Sequence, residues 1–110
     1  MPEKLDFDLA SFEEIAVELG ARLRALRLAQ CLQQTELARR AGVSRYVVQE
    51  LESSGKCTLH TMLRVSQALG RLSDLQGLFE PQLHSIADME RAERAPRERA
   101  RGKSNRQARP

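Results

Sequence analysis

The chain has few of the residues that build enclosed pockets, metal centres or disulfides. Aromatic residues make up 4% of its 110 residues, and tryptophan is absent. Two cysteines, Cys31 and Cys57, are too few and too far apart to form a metal-binding signature. Hydrophobic residues make up 41% of the chain, mostly leucine, valine, isoleucine and alanine. This composition predicts one small domain with little room for an enclosed ligand pocket.

Catalytic and cofactor-binding patterns are also missing from the sequence. Neither His60 nor His84 has a cysteine or carboxylate at the spacing of a metal site or a catalytic triad. We therefore expect a protein that is not an enzyme and that needs neither a cofactor nor a metal.

Long apolar runs and strand-like alternation are absent as well. The N-terminus is acidic, unlike the basic and then apolar start of a secretory signal. Two cysteines in such a chain are typical of free thiols in a reducing compartment. These features predict a cytoplasmic protein with no membrane contact.

Charge is distributed unevenly along the chain, although the formal net charge is only +3. Residues 21–72 carry nine basic residues against three acidic ones, and residues 96–110 carry six against one. Residues 1–20 and 73–95 are acidic, with net charges of −5 and −3. The basic segments favour a polyanionic partner, whereas the acidic flanks argue against attraction over the whole surface.

Apolar residues recur at helical spacing through most of the chain, which predicts an all-α fold. Ser11 and Glu14 form the pattern of a capping box, so the first helix is expected to begin there. It should bury Phe12, and the fourth helix should bury Leu59, Leu63, Val65 and Leu69. Five helices are predicted, at about 11–31, 34–40, 45–53 and 59–69, with a short fifth helix at 72–79 closed by Pro81.

The joint between the second and third predicted helices is short. Gly42 can adopt the positive φ that a tight reversal needs, and Ser44 can cap the next helix. Val48 and Leu51 can then pack back against the second helix, which leaves the other side of residues 45–53 free. Two short helices that cross steeply in this way form a helix-turn-helix, whose second helix fits the major groove of DNA.

The free side of residues 45–53 carries four side chains suited to base edges. Arg45 can bind guanine O6 and N7 in a bidentate manner, and Gln49 can pair with adenine or contact a phosphate. Tyr46 can meet a thymine methyl group or a phosphate. Glu50 can accept from cytosine N4 or pair with a nearby arginine.

Polar residues around this side are predicted to position the domain on the DNA backbone. They are Gln34, Thr35, Arg39, Ser44, Lys56 and Thr58. Simple solvation of Arg39 and simple helix capping by Thr58 are the alternative interpretations of those two residues.

One domain of this size would bind DNA weakly, so we expect a two-fold homodimer on half-sites about one helical turn apart. The predicted dimer surface consists of Leu72, Leu75, Leu78 and Phe79. The alternative is that these residues only close the core of the monomer.

The chain divides into four predicted segments. An N-terminal arm (1–10) precedes the helix-turn-helix domain (11–80), and an extension that can form a helix follows (81–95). The basic tail (96–110) should be disordered in the isolated protein. It either stays solvated or contacts DNA phosphates.

Residues 19–70 resemble the XRE family, the Cro and CI type of repressors. The resemblance rests on "LGARLRALRLAQCLQQTELARRAGVSRYVVQELESSGK" and "LHTMLRVSQALG". It implies that Gln34 contacts phosphate and braces the reading helix, and that Arg27 and Glu52 bridge helix one to the end of helix three. An exposed ion pair worth under ~1 kcal/mol is the alternative for these two residues. The implied function is a dimeric, sequence-specific repressor that binds double-stranded DNA.

The stretch "ALGRLSDLQGLFEP", followed by an arginine-rich end, resembles one subgroup of this family, the HipB-like antitoxins. This resemblance implies a second function. The protein would bind and neutralise a HipA-like kinase toxin and repress its own operon.

Overall fold

The computed structural model describes residues 4–81 together with residues 90, 91 and 93. This part of the chain contains no β-strand, in agreement with the all-helical prediction. The chain divides into two compact units, Met1–Gln76 and Gly77–Pro110. The first unit contains α1 (Phe12–Ala29), α2 (Gln34–Ala41), α3 (Arg45–Ser54), α4 (Leu59–Ala68) and a short 3-10 helix, Leu72–Leu75.

The prediction of a fifth α-helix was wrong. Leu72–Leu75 forms a single 3-10 helix, and the next residues form turns. In the second unit, Gly77 is a poor helix former and Phe79 has a φ of 61°, in the left-handed region that no helix contains. The predicted tail, and most of the predicted extension, lie outside the described residues.

Helix α1 begins at the capping box that the sequence predicts. The Ser11 N–H donates to Glu14 Oε1 at 2.9 Å, and the Glu14 N–H donates to Ser11 Oγ at 3.1 Å. These hydrogen bonds hold the pKa of the Glu14 carboxyl below its usual range. They also satisfy two N–H groups at a helix end, where the backbone lacks internal partners.

The end of α1 differs from the prediction, because the helix stops before Cys31. Cys31 has a φ of 57°, and its thiol is exposed and free. The N–H of Leu32 donates back to the Arg27 carbonyl at 3.2 Å, which closes the helix with a left-handed residue. The first helix therefore ends at Ala29, two residues before its predicted end at residue 31.

The core lies where α1 and α2 pack against the inner side of α3 and where α4 packs against α2. Leu37, Val48 and Leu51 are fully buried at its centre. The burial of these branched side chains is the main favourable term that holds the small domain together. The complete buried apolar cluster is Leu23, Leu37, Ala38, Ala41, Val48, Leu51, Val65 and Leu69.

Helix α1 crosses the C-terminal end of α3 at very short range. A Cβ atom added at Gly20 would overlap the carbonyl oxygen of Leu51. A Cβ atom added at Gly55, the residue after α3, would overlap the carbonyl oxygen of Ala16. Because only glycine fits at both positions, the backbone of α1 fixes where α3 ends.

Three large apolar residues predicted to face inward are exposed. Phe12 is 87% exposed and Leu59 is 74% exposed, and Leu63 is also exposed. Phe12 is the first residue of α1. Val65 and the C-cap residue Leu69 are buried as predicted, and Met62 and Ser66 face the core with them.

Candidate nucleic-acid interface

The joint between α2 and α3 is compact because backbone and side chain both close it. Gly42 ends α2 with a φ of 70°, and the Val43 N–H donates to the Ala38 carbonyl at 3.0 Å. Ser44 Oγ accepts from the Val47 N–H at 3.2 Å and so begins α3. These bonds set the angle at which α3 leaves α2.

Helix α3 has one buried side and one exposed side. Val48 and Leu51 are fully buried, whereas Arg45, Tyr46 and Gln49 are exposed, Tyr46 to 69%. Three of the four predicted base-reading residues therefore lie on the outer side of α3.

The fourth predicted base-reading residue, Glu50, is half-buried at the edge of this outer side. Its backbone carbonyl accepts from the hydroxyl groups of Ser53 and Ser54. Within the described residues the Glu50 carboxylate forms no ion pair with an arginine. The alternative interpretation, in which Glu50 pairs with a nearby arginine, is therefore not observed in this part of the chain.

A buried polar network joins α1, α2 and the end of α3. Arg27 donates from Nε to Glu52 Oε2 at 2.6 Å and from Nη2 to Glu52 Oε1 at 2.9 Å. Each residue is only 6% exposed, so this is not the exposed ion pair of the alternative interpretation. Arg27 makes a third hydrogen bond, from Nη1 to the Leu32 carbonyl oxygen at 2.7 Å. The hydrogen bonds with Glu52 raise the pKa of Arg27.

Gln34 belongs to the same network. Its Nε2 donates to Glu52 Oε1 at 3.1 Å, which ties the first residue of α2 to the C-terminal half of α3. The backbone N–H groups of the first turn of α2 lack a side-chain cap, because Gln33 makes no such hydrogen bond. Uncapped N–H groups at a helix start are suited to an anion.

The remaining predicted phosphate contacts lie at the ends of helices. Thr35 is exposed in the first turn of α2, and Lys56 is exposed just after Gly55. Ser44 caps α3, and Thr58 caps α4 by accepting from the Thr61 N–H at 3.1 Å. Thr58 thus does have the capping role that was its alternative interpretation.

Arg39 is exposed but already paired. Its Nη2 lies 2.6 Å from Glu36 Oε1, and its Nε donates to Glu36 Oε2 at 3.1 Å. Arg40 Nε donates to the same Glu36 Oε1 at 3.0 Å. Hydrogen bonds from Arg39 and Arg40 lower the pKa of the Glu36 carboxyl to about 2.

This low pKa predicts a specific response to acid. Because the pKa of Glu36 is lower in the folded chain than in the unfolded chain, its ionised carboxylate stabilises the fold. This contribution is fully present at pH values above the ordinary carboxyl pKa of ~4.3, and it is lost as the pH falls toward 2. Following the side-chain carboxyl carbon of Glu36 by NMR should show titration at about 2. In Arg39→Gln the pKa should rise. A titration in the ordinary carboxyl range in the unmodified protein would contradict the arrangement.

Three of the four residues predicted to form the dimer surface are exposed, and the fourth is half-buried. In the first unit, Leu72 is exposed and Leu75 is half-buried. Leu78 is exposed and Phe79 is 97% exposed in the second unit. Leu63 and Leu72 share a shallow cleft of about 370 Å³ on α4, which is also lined by His60, Arg64 and Gln67.

The sequence did not predict that Leu59 and Leu63 of α4 are exposed. Leu59 and Leu63 are four residues apart, so they fit a buried helix face as well as the residues that the core in fact uses. The prediction combined these two leucines with Val65 and Leu69, which are buried. The signal that could have separated them is the helical spacing of Met62, Val65 and Leu69, because one helix rarely buries both sides in a small domain.

Two further features concern the part of the chain that the structure describes. No helix there is long and apolar enough to cross a membrane. No group of histidine, cysteine and carboxylate side chains there could hold a metal ion.

Comparison with known families agrees with this geometry. Residues 23–75 match a family model described as helix-turn-helix. The match begins in α1 and covers α2, α3, α4 and the 3-10 helix. No curated protein shows significant similarity to the chain. Over residues 23–75 the chain is therefore similar to helix-turn-helix domains of the XRE type, which are DNA-binding domains of transcription regulators.

Proposed function

We propose that this protein is a sequence-specific repressor that reads the major groove of double-stranded DNA with α3. The observation that carries the proposal is the division of α3 into two sides. Its inner side is fully buried, and Arg45, Tyr46 and Gln49 project from its outer side without a structural task in the described residues. Arginine and glutamine are the side chains best suited to bidentate contacts with guanine and adenine in that groove.

The fixed position of α3 supports this proposal. Its start is held by the Ser44 cap, and its end by Glu52 and by the close approach of α1 at Gly55. A helix held at both ends loses little conformational freedom when it binds, so more of the contact energy appears as affinity.

Backbone contacts would come from the start of α2. The uncapped N–H groups after Gln33 favour a phosphate oxygen, and Gln34 is held beside them by Glu52. Thr35 and Lys56 are exposed and can add further phosphate contacts. Such contacts fix the register of α3 in the groove and carry no sequence information themselves.

The repressor would act as a two-fold dimer, because one domain of this size gives modest affinity. In the first unit, the predicted surface at Leu72 and Leu75 is extended by the exposed leucines of α4, because Leu63 and Leu72 line the same cleft and Leu59 lies one turn before Leu63. Leu78 and Phe79 remain part of the predicted dimer surface. Sedimentation at several protein concentrations tests this directly. Leu59→Ser and Leu63→Ser should shift the protein toward monomer, whereas a monomer at all concentrations in the unmodified protein would reject the dimer.

Selection of bound sequences from random duplex DNA, at stated salt, tests the function itself. With the preferred site in hand, Arg45→Ala should relax the preference at one base pair and weaken binding there by about 1–3 kcal/mol. Arg22→Ala, at an exposed position on α1, is the matched control and should keep the preference. A uniform loss over all sequences would make Arg45 a phosphate contact. If the protein prefers no sequence, the proposal is wrong.

An antitoxin of the HipB-like type is the second candidate function. A second surface, separate from α3, favours it: a shallow apolar cleft on α1 formed by Leu5, Val17 and Ala21, with three glutamates at its edge. Under this alternative the protein would bind a HipA-like kinase through a surface other than the one that binds DNA. Inhibition of such a kinase from the same genome, retained in Arg45→Ala, is the expected result, and unchanged kinase activity would reject it.

A further inference from the structure

The single carboxylate of α2 lies against both arginines of that helix. Both of its oxygens are occupied by Arg39, and Oε1 also accepts from Arg40. These residues are three and four positions apart, so they lie on neighbouring positions of one helix surface. All three side chains reach solvent, and the contacts are therefore made where a DNA phosphate could also arrive.

Glu36 has a different environment from the other two acidic residues of the basic segment. Residues 21–72 contain three acids, and Glu52 is buried with Arg27 while Glu50 has no arginine partner in the described residues. Within the part of the chain that the structure describes, Glu36 is the one acidic residue that pairs with two exposed arginines of α2 at once. Both arginines are in the last turn of α2, two or three residues before Gly42.

We propose that Glu36 limits sequence-independent binding to DNA by holding Arg39 and Arg40 away from phosphates. This inference rests on the proposed DNA-binding function and concerns its specificity. Nε and Nη2 of Arg39 and Nε of Arg40 already donate to Glu36, so a phosphate that approaches these arginines competes with the carboxylate for those N–H groups and is repelled by its charge. Base contacts from α3 are made by other residues, so specific binding depends less on this exchange.

The size of the effect follows from counterion release. Each phosphate neutralised on duplex DNA makes the logarithm of the binding constant fall more steeply with the logarithm of salt concentration, by about 0.9. Release of one or two arginines should therefore make the loss of affinity between ~50 and ~200 mM salt about 3-fold to 12-fold larger.

The test measures binding to a random-sequence duplex by fluorescence anisotropy over this salt range. Glu36→Gln keeps the size of the side chain and removes its charge, and it should raise affinity at low salt and increase the salt dependence. Glu18→Gln is the matched control, because it makes the same charge change in another exposed pair, 2.8 Å from Arg22 on α1. The control should change affinity and salt dependence much less.

A second variant removes the arginines. Replacement of Arg39 and Arg40 by glutamine should hardly alter the salt dependence when Glu36 is present, and should abolish the increase when Glu36 is glutamine. Equal effects of Glu36→Gln and Glu18→Gln, or no effect of either, would overturn the inference.

Failure of the function and failure of this inference have different signatures. A protein that prefers no sequence, and binds no duplex even at low salt, defeats both. A protein that selects its own site, but whose binding to random duplex is unchanged in Glu36→Gln, keeps the proposed function and loses the role of Glu36.

Discussion

Replacement of Glu52 by alanine is expected to lower the free energy of unfolding by about 3–5 kcal/mol. The change leaves the Arg27 guanidinium buried without the carboxylate that accepts two of its hydrogen bonds, and it also removes the acceptor of Gln34. An uncompensated buried charge is far more costly than a broken surface pair. Since small domains are stable by only about 5–15 kcal/mol, the variant should unfold at much lower urea concentration.

The control uses an exposed pair of the same chemistry. Glu18→Ala breaks the contact with Arg22 on the surface of α1 and should cost under about 1 kcal/mol. Replacing Arg27 by methionine and Glu52 by leucine together should recover much of the loss, because no charge is then left buried. If Glu52→Ala costs no more than Glu18→Ala, the network does not hold the domain together.

Replacement of Gly55 by alanine is expected to lower the free energy of unfolding by about 2–5 kcal/mol. Two causes add here. The φ of 75° costs a residue with a side chain about 1–2 kcal/mol. The added methyl group would also overlap the backbone of α1 at Ala16, and overpacking of this kind costs about 1–3 kcal/mol more. Backbone cannot rotate away as a side chain can, so α1 and α3 would have to separate.

Gly70 offers a closely matched control for this substitution. Its φ is 72°, and an added Cβ meets nothing within 4 Å. Gly70→Ala should therefore cost only the conformational part, about 1–2 kcal/mol. Thermal and urea unfolding of the two variants separate packing from backbone strain, and equal losses would show that the α1–α3 contact is not as close as described.

Both substitutions act on the same part of the site. Glu52 and Gly55 set the position of the C-terminal end of α3. Neither residue is proposed to contact DNA itself. Their variants, where they still fold, should lose sequence preference along the whole site, unlike Arg45→Ala, which affects one position. This difference distinguishes residues that position α3 from residues that read bases.

Local patterns predicted most of the helices and the outer side of α3. The capping box at Ser11, the left-handed Gly42 and the Ser44 cap involve residues within three or four positions of one another. Hydrogen bonds of this range are encoded in short stretches of sequence, and so they can be predicted without a tertiary structure. The exposure of Arg45, Tyr46 and Gln49 then follows from the burial of Val48 and Leu51.

The errors arose where two local patterns competed. In α4 the prediction took residues from two sides of the helix, and the contact with α2 buried the side that contains Val65 and left Leu59 and Leu63 exposed. Near residue 31 the apolar pattern continued, but the backbone turned because Leu32 packs against the core. Each choice depended on packing partners far away in the sequence.

The amino-acid sequence by itself determined the four α-helical segments, where α2 ends and α3 begins, and which side of α3 is polar. The family resemblance implied a bridge between Arg27 and Glu52, but only the tertiary structure decided that this bridge is buried and includes a hydrogen bond from Gln34. It also decided that Gly20 and Gly55 bring α1 against the backbone of α3. Periodicity and capping act within a few residues, whereas burial depends on what the rest of the chain places around a side chain. The position of α3, and with it the proposed reading of DNA, therefore depends on contacts that no short stretch of the sequence contains.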